Sequence, residues 1–547
     1  MKRSTFKQGA MIATFAIIFT KFLGIIYVIP FYKIIGNKGG ALYGYAYNIY
    51  SVFLSLSTVG IPLAISKLVS EYNALGYYNT RENVFKQGRK VISSFALIIF
   101  ILLFIFAGPI AKLIIGDIIG GNTIDDIKFV IRIIATAILI IPSLSILRGY
   151  LQGNKYIETS SFSQVIEQIS RVLIVVIGSL VALKITKSVT IAVAVACFGA
   201  TVGGAIALIY LNKKVKENKD EFVVNMPLKE EEKSITSKVI WKKIIKYAVP
   251  FVMIDVVGNA CNLINMFTVV KILVKHCNWN ITDAEIVMST LTTWGSKLNM
   301  IIIALATGLV VSLLPHVTSS YIKKDMETVE KYINDAYSLL LYLTIPMTVG
   351  LSFLSKPVWQ IFYGNHGLAA EVFAVFVFNA LASSMYTVTL TIMQSINRYK
   401  VVFYCLFLEV ALKLILQYPL MILAHKLGFG PYIGNISATI IATSSTYIIS
   451  IIYMIKKMKI SLSETLKVLL KTLLYTFVMF ICLKIVNVII PVVSESRLKS
   501  MIIIIIYILI GGGVYIGISF EVFKKVIGKE LLDNLKKKFK IKNSWHL

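Results

Sequence analysis

The 547-residue sequence predicts an all-α polytopic membrane protein with about fourteen transmembrane helices. Three observations predict it. Apolar residues make up 57% of the chain and charged ones only 15%, where soluble domains average about 45–50% apolar. The mean hydropathy is +0.78, and the apolar residues fall in blocks long enough to cross a roughly 30 Å hydrocarbon core as helices. The blocks also repeat in order along the chain.

The blocks run roughly over 10–35, 41–71, 90–115, 128–151, 162–184, 189–212 and 243–272, and then 286–317, 335–355, 369–396, 401–425, 433–455, 466–490 and 500–523. Met1–Lys7 is cationic and precedes an apolar run reaching about Ile35. That run is too long for a cleaved leader and reads as the first retained span. With Met1 inside, 36 Lys and Arg fall on cytoplasmic segments and 12 on external ones. The asymmetry places both termini in the cytoplasm.

Spans one to six and seven to twelve share landmarks. Pro62 matches Pro315, and Pro109-x6-Gly116 matches Pro357-x6-Gly364. Asn154-Lys155-Tyr156 matches Asn397-Arg398-Tyr399, and Glu167-x3-Arg171 matches Glu409-x3-Lys413. The offsets fall slowly from 253 to 242 residues, as small insertions and deletions would make them. Six spans per repeat keep the two halves in the same orientation, with a pseudo-two-fold axis along the membrane normal. Rocking two such lobes about a central cavity gives alternating access, a transporter mechanism. The expected organisation is an N-lobe over 1–212, a charged cytoplasmic linker over 213–242 and a C-lobe over 243–458. Two further spans lie in 459–523 and a basic tail in 524–547. The tail suits an amphipathic helix on anionic lipid or a solvated extension equally.

The net charge of +29 does not point to nucleic acid, because membrane-buried segments cannot build a nucleic-acid groove. It reads as a topology signal and an attraction to membrane lipid. The five cysteines, Cys197, Cys261, Cys277, Cys405 and Cys482, show no paired spacing and no metal-ligand pattern. No phosphate-loop signature or hydrolase motif is present. The chain reads as neither an ATP-driven pump nor an enzyme, and no cofactor is implied.

Charges inside spans are the candidate functional groups, because each costs about 2.5–3.5 kcal/mol at a helix centre on insertion scales. Lys21 lies 14 residues beyond Lys7, roughly 20 Å along a helix. Lys297 lies 18 residues before Pro315. Neither has an acid at i±3 or i±4, which suggests a watery cavity holding an anion. A partner acid elsewhere, such as Asp255 in span seven, is the competing explanation. Lys67 has Glu71 at i+4, so a local pair or snorkelling explains it beside a substrate-binding role. Glu167/Arg171 and Glu409/Lys413 are i,i+4 pairs. They either pin their spans to neighbours or serve gating or cation coupling. Gly24 and Pro30 allow span one to bend, as a gate or as a static kink.

The opening TKFLGIIYVIPFYKIIG, the following ALYGYAYNIYSVFLSLSTVGIPLAISKLVSEYNALG and the later SKLNMIIIALATGLVVSLLPHVTSSY resemble the MurJ/SpoVB/YtgP group of polysaccharide-precursor exporters. That group shares a superfamily with the MATE drug exporters. The resemblance implies flipping of lipid II, or of a related undecaprenyl-diphosphate sugar, from inner to outer leaflet. It places the basic residues of spans one and eight on Lys21 and Lys297. In Gram-negative members both are arginines, and lysine keeps the charge without the bidentate fork. Those members also carry acidic and arginine residues in span two, where YGYAYNIYSVFLSL has none. The implied partners are a lipid-linked anionic sugar substrate, membrane lipid and the machinery of cell-wall synthesis.

Two transport alternatives stay beside this reading. One is a flippase for another polysaccharide or teichoic-acid unit. The other is a cation-coupled drug antiporter of the MATE type, although a cationic drug calls for an acidic cavity and the deep residues here are lysines. A scaffold without transport would need no deep lysines.

Overall fold

The computed structural model describes residues 16, 19–20, 22–24, 26–58, 60–116, 121–218, 230–233, 235–364, 366–396, 398–492 and 496–527. Among them 11 helices are long and apolar enough to cross a membrane. These cover expected spans three to seven and nine to fourteen, and the protein is a multi-pass membrane protein of all-α fold. Spans one, two and eight fall on partly described stretches and include helices Val28–Thr58, Gly60–Leu75 and Gly295–Ile322. Large apolar side chains point outward along the spans, among them Ile98, Ile105, Leu470, Leu474 and Leu509. Polar side chains such as Thr472, Thr476 and Ser500 are buried. That inversion of the usual soluble pattern fits a hydrocarbon surround, in which backbone groups must be satisfied within each helix.

The chain forms two compact units, Met1–Thr293 and Trp294–Leu547. The first holds α1 (Val28–Thr58), α2 (Gly60–Leu75), α3 (Tyr78–Ile115), α4 (Ile124–Gly153), α5 (Ile157–Leu173), α6 (Ser179–Thr186), α7 (Val189–Glu217), the short α8 (Glu230–Lys233), α9 (Ser237–Cys277) and α10 (Ile281–Ser289). Gly36, at φ 62° and ψ −167°, turns the chain between the ends of spans one and two within α1. Only glycine adopts that region readily. A capping box opens α4: the Thr123 side chain accepts from the Asp126 N–H, and Asp126 accepts from the Thr123 N–H. This helix is the centre of the unit and packs against α1, α2, α3 and α7. Ile131, Ala135, Ile138, Leu144 and Leu151 are among its buried residues.

The second unit holds α11 (Gly295–Ile322), α12 (Met326–Phe353), α13 (Ser355–Tyr363), α14 (Gly367–Phe376), α15 (Phe378–Ser395), α16 (Tyr399–Lys426), α17 (Pro431–Met458), α18 (Ser463–Ile489), α19 (Arg497–Ile518) and α20 (Phe520–Ile527). Here α16 packs along α17, α11 against α15, and α12 against α18. Pro431 opens α17 at a position where its missing N–H costs nothing.

Several sequence landmarks have matching backbone roles. Gly116 closes α3 at φ 71° and Gly364 closes α13 at φ 88°. Tyr156 caps the start of α5 and Arg398 the start of α16. The matched glycines each end a helix, the long α3 in one half and the short, separate α13 in the other, and α16 begins one residue earlier in its landmark than α5.

Candidate functional site

The densest buried charge cluster among the described residues is built on α5. Four residues make just over one helical turn, so Glu167 and Arg171 share a face. Arg171 donates from Nη2 to Glu167 Oε1 at 2.6 Å. From α4, Arg148 donates to Glu167 Oε2 at 2.9 Å and through Nε to Ser163 Oγ at 2.8 Å. The side chains are 12%, 13% and 20% exposed for Arg148, Glu167 and Arg171, so the charges lie largely out of water. One carboxylate thus faces two guanidinium groups, and the cluster carries one net positive charge.

Local sequence brings these groups together. Gly199 and Gly203 stand one turn apart on α7, and a Cβ at Gly203 would come within 2.7 Å of the Glu167 carbonyl oxygen. Two glycines at this spacing let two helices approach closely. Immediately after Arg171 and Leu173, residues Ile174–Gly178 form a π-helical turn. Such turns shift the facing of everything beyond them and recur at functional sites. Tyr43, Tyr47 and Tyr50 of α1 lie within electrostatic reach of the Arg171 guanidinium. The tyrosine-rich stretch of span two therefore stands beside the arginine of span five.

In the second unit the corresponding pair is arranged differently. Glu409 and Lys413 are 3% and 0% exposed. Glu409 accepts from Thr443 Oγ1 at 3.1 Å and Thr446 Oγ1 at 3.3 Å. Lys413 donates to Thr439 Oγ1 at 2.6 Å and the Asn435 carbonyl at 3.2 Å. All four partners lie on α17, and one negative group is matched to one positive group.

Lys297 sits in the first turn of α11, just beyond a π-helical turn over Thr290–Trp294. It is half-buried, and its ammonium lies 5.4 Å from the centre of the Trp294 ring. Trp294 is fully buried, and its carbonyl accepts from the Tyr363 hydroxyl at 2.8 Å. Two π turns thus flank two of the basic residues singled out from the sequence. Lys21 lies outside the described residues, as does the side chain of Asp255. Gly24 faces α5, where an added Cβ would meet Gln168 Nε2 at 3.7 Å. Pro30 is exposed on α1, and Lys67 is exposed on α2. Glu71 is bridged at 2.9 Å by Lys243 of α9, which ties span two to the start of span seven.

Two groups escaped the sequence reading. Arg148 lies six residues before Asn154 and reads as an interfacial residue from spacing alone. Glu285 is 3% exposed; its Oε2 accepts from Asn122 Nδ2 at 3.0 Å, and its Oε1 from the Asn122 N–H at 3.2 Å and the Tyr45 hydroxyl at 3.4 Å. Its partners are 163 and 240 residues away, and no local pattern announces them. Among the described residues no three His, Cys, Asp or Glu side chains gather to hold a metal ion.

Residues 6–277 match the model of a family described as polysaccharide biosynthesis protein. The chain is 30% identical to lipid II flippase MurJ of Bacillus subtilis (strain 168), over 96% of this chain and 97% of that one. A solved structure of lipid II flippase MurJ in an inward closed conformation superposes with a TM-score of 0.68 at 19% identity, covering 95% of this chain and 100% of that one. An inward-facing multidrug resistance MATE transporter superposes with a TM-score of 0.62 at 12% identity, covering 80% and 94%. At these identities the two superpositions speak for the shared all-α transporter fold. The near-complete alignment at 30% identity goes further, and the chain belongs to the MurJ family.

Proposed function

We propose that this chain flips an undecaprenyl-diphosphate-linked peptidoglycan precursor, lipid II, from the inner to the outer leaflet of a bacterial cytoplasmic membrane. The observation that carries the reading is the 30% identity to a lipid II flippase along almost the entire length of both chains. The buried charges agree in sign. A lipid-linked diphosphate is an anion, and Arg148, Glu167 and Arg171 leave one positive charge in excess. A cationic drug would meet repulsion there.

In this reading residues 1–212 and 243–458 are two lobes that alternate access, with both termini and the linker over 213–242 in the cytoplasm. Lys21 and Lys297 receive the diphosphate from spans one and eight. An ammonium facing phosphate gains a charge-assisted hydrogen bond that is stronger out of water than in it. The protein carries out no bond-making step.

Complementation tests the proposal. A bacterium depleted of its own lipid II flippase should resume growth when this chain is expressed. Continued lysis, with the protein present in the membrane at normal abundance, would count against lipid II as the substrate.

A further inference from the structure

We propose that Arg148, Glu167 and Arg171 form a phosphate-binding station within the first unit, with Glu167 as its resident counter-ion. The inference rests on the flippase reading and adds a site made by spans four and five.

Three observations converge on it. The first is charge. Among the described residues Glu167 is the one carboxylate paired with either arginine, so the cluster lacks a second negative group. The second is unfilled hydrogen bonding. Among the described residues, Arg148 Nη2 and Arg171 Nε are buried without a hydrogen-bond partner. Buried donors are nearly always satisfied, and a guanidinium has five N–H donors aimed in one plane. Glu167 takes only part of that capacity. The third is the contrast with the other half of the repeat. There Glu409 and Lys413 meet four oxygen partners on α17, and the charges cancel.

A phosphate group fits what is missing. It brings negative charge and several acceptor oxygens, and planar guanidinium forks bind it in pairs. Arg171 stands 14 residues into α5, about 21 Å along its axis, so the station lies well inside the membrane-spanning part of the helix. Glu167 holds the two arginines in place when no anion is present and competes with the anion when one arrives.

Equilibrium binding of undecaprenyl diphosphate to the purified full-length protein in zwitterionic nanodiscs tests this. Arg148→Gln and Arg171→Gln should each weaken binding by about tenfold, the loss expected for one charge-assisted hydrogen bond. Glu167→Gln should tighten it, because it removes the competing carboxylate. Binding of undecaprenol, which lacks phosphate, should not respond to any of the three. A purely structural cluster would not produce opposite signs. Inorganic diphosphate should compete with the lipid, whereas phosphatidylglycerol at equal concentration should not. Full displacement by phosphatidylglycerol would overturn the station in favour of a bulk headgroup site. If water fills the free donors, both arginine variants will bind as the wild type does, and the station is wrong. Should Glu167→Gln fail to fold, the two arginine variants decide the question. Unchanged arginine variants beside a weakened Lys297→Ala overturn the station alone. A wild-type protein that ignores undecaprenyl diphosphate overturns the flippase reading, and the station with it.

Discussion

Gly203 and Glu167 are packed so closely that a single methyl group at the glycine would lie 2.7 Å from the glutamate's carbonyl oxygen. The obstacle is backbone, which cannot swing aside as a side chain can. Gly203→Ala should push α5 away from α7 and lower the thermal stability of the purified protein by about 1–3 kcal/mol, as overpacking does. Gly199→Ala meets its nearest neighbour, the Arg171 carbonyl, at 3.2 Å and should cost less. Equal losses at the two positions would contradict the proposed close approach at Glu167.

The charge arrangement around Glu167 predicts an order of damage. Glu167→Gln leaves two buried arginines facing each other, and uncompensated buried charge costs about 3–5 kcal/mol. Arg148→Gln leaves the Glu167–Arg171 pair at 2.6 Å intact and should cost less. Adding Arg148→Gln to Glu167→Gln should restore part of the lost stability. Thermal unfolding of the three variants in detergent reads the order directly, and a double variant weaker than Glu167→Gln alone would contradict it.

Glu409 and Lys413 should behave as a fixed structural pair. Glu409→Gln weakens the hold on Thr443 and Thr446 and strands a lysine that is 0% exposed, so the amount of protein in the membrane should fall. Adding Lys413→Met should partly restore it, since removing both charges costs less than removing one. Normal abundance of Glu409→Gln with transport abolished would assign the pair to coupling instead.

Much of the fold was legible because a membrane imposes a coarse rule. Each crossing needs about 20 apolar residues, and Pro109, Gly116, Pro357 and Gly364 punctuate the two halves at matching places. Glu167 and Arg171 were legible for a similar reason, since i,i+4 spacing puts them on one helical face. Arg148 was not, because its partner lies 19 residues away across a turn between helices. Glu71 shows the same limit: its spacing suggests Lys67, while the fold gives it Lys243, 172 residues on. Asn122 and Glu285 meet across 163 residues. Sequence periodicity reports neighbours on one element, and these contacts are made between elements.

The expected topology can be read by labelling. With the five native cysteines replaced, a cysteine at Asp125 should react with an impermeant reagent added to intact cells, since its side chain is 92% exposed. Asn122, though in the same loop, is 2% exposed and held by Glu285 and should label poorly. A cysteine at Lys456, exposed at the end of α17, should react only after the cells are opened. Labelling of position 456 from outside would reverse the map.

The central claim is that this chain moves lipid II outward with the help of its deep basic residues. The most direct measurement is the fraction of lipid II reachable by an impermeant head-group-cleaving enzyme, in cells depleted of their own flippase and expressing this protein. The wild type, Lys21→Arg and Lys297→Arg should restore the reachable fraction. Lys21→Ala and Lys297→Ala should leave it near the depleted level at equal membrane abundance, and Lys184→Ala, on an exposed site, should not matter. A wild-type protein that leaves lipid II inside, or alanine variants that move it as well as the wild type, would contradict the account.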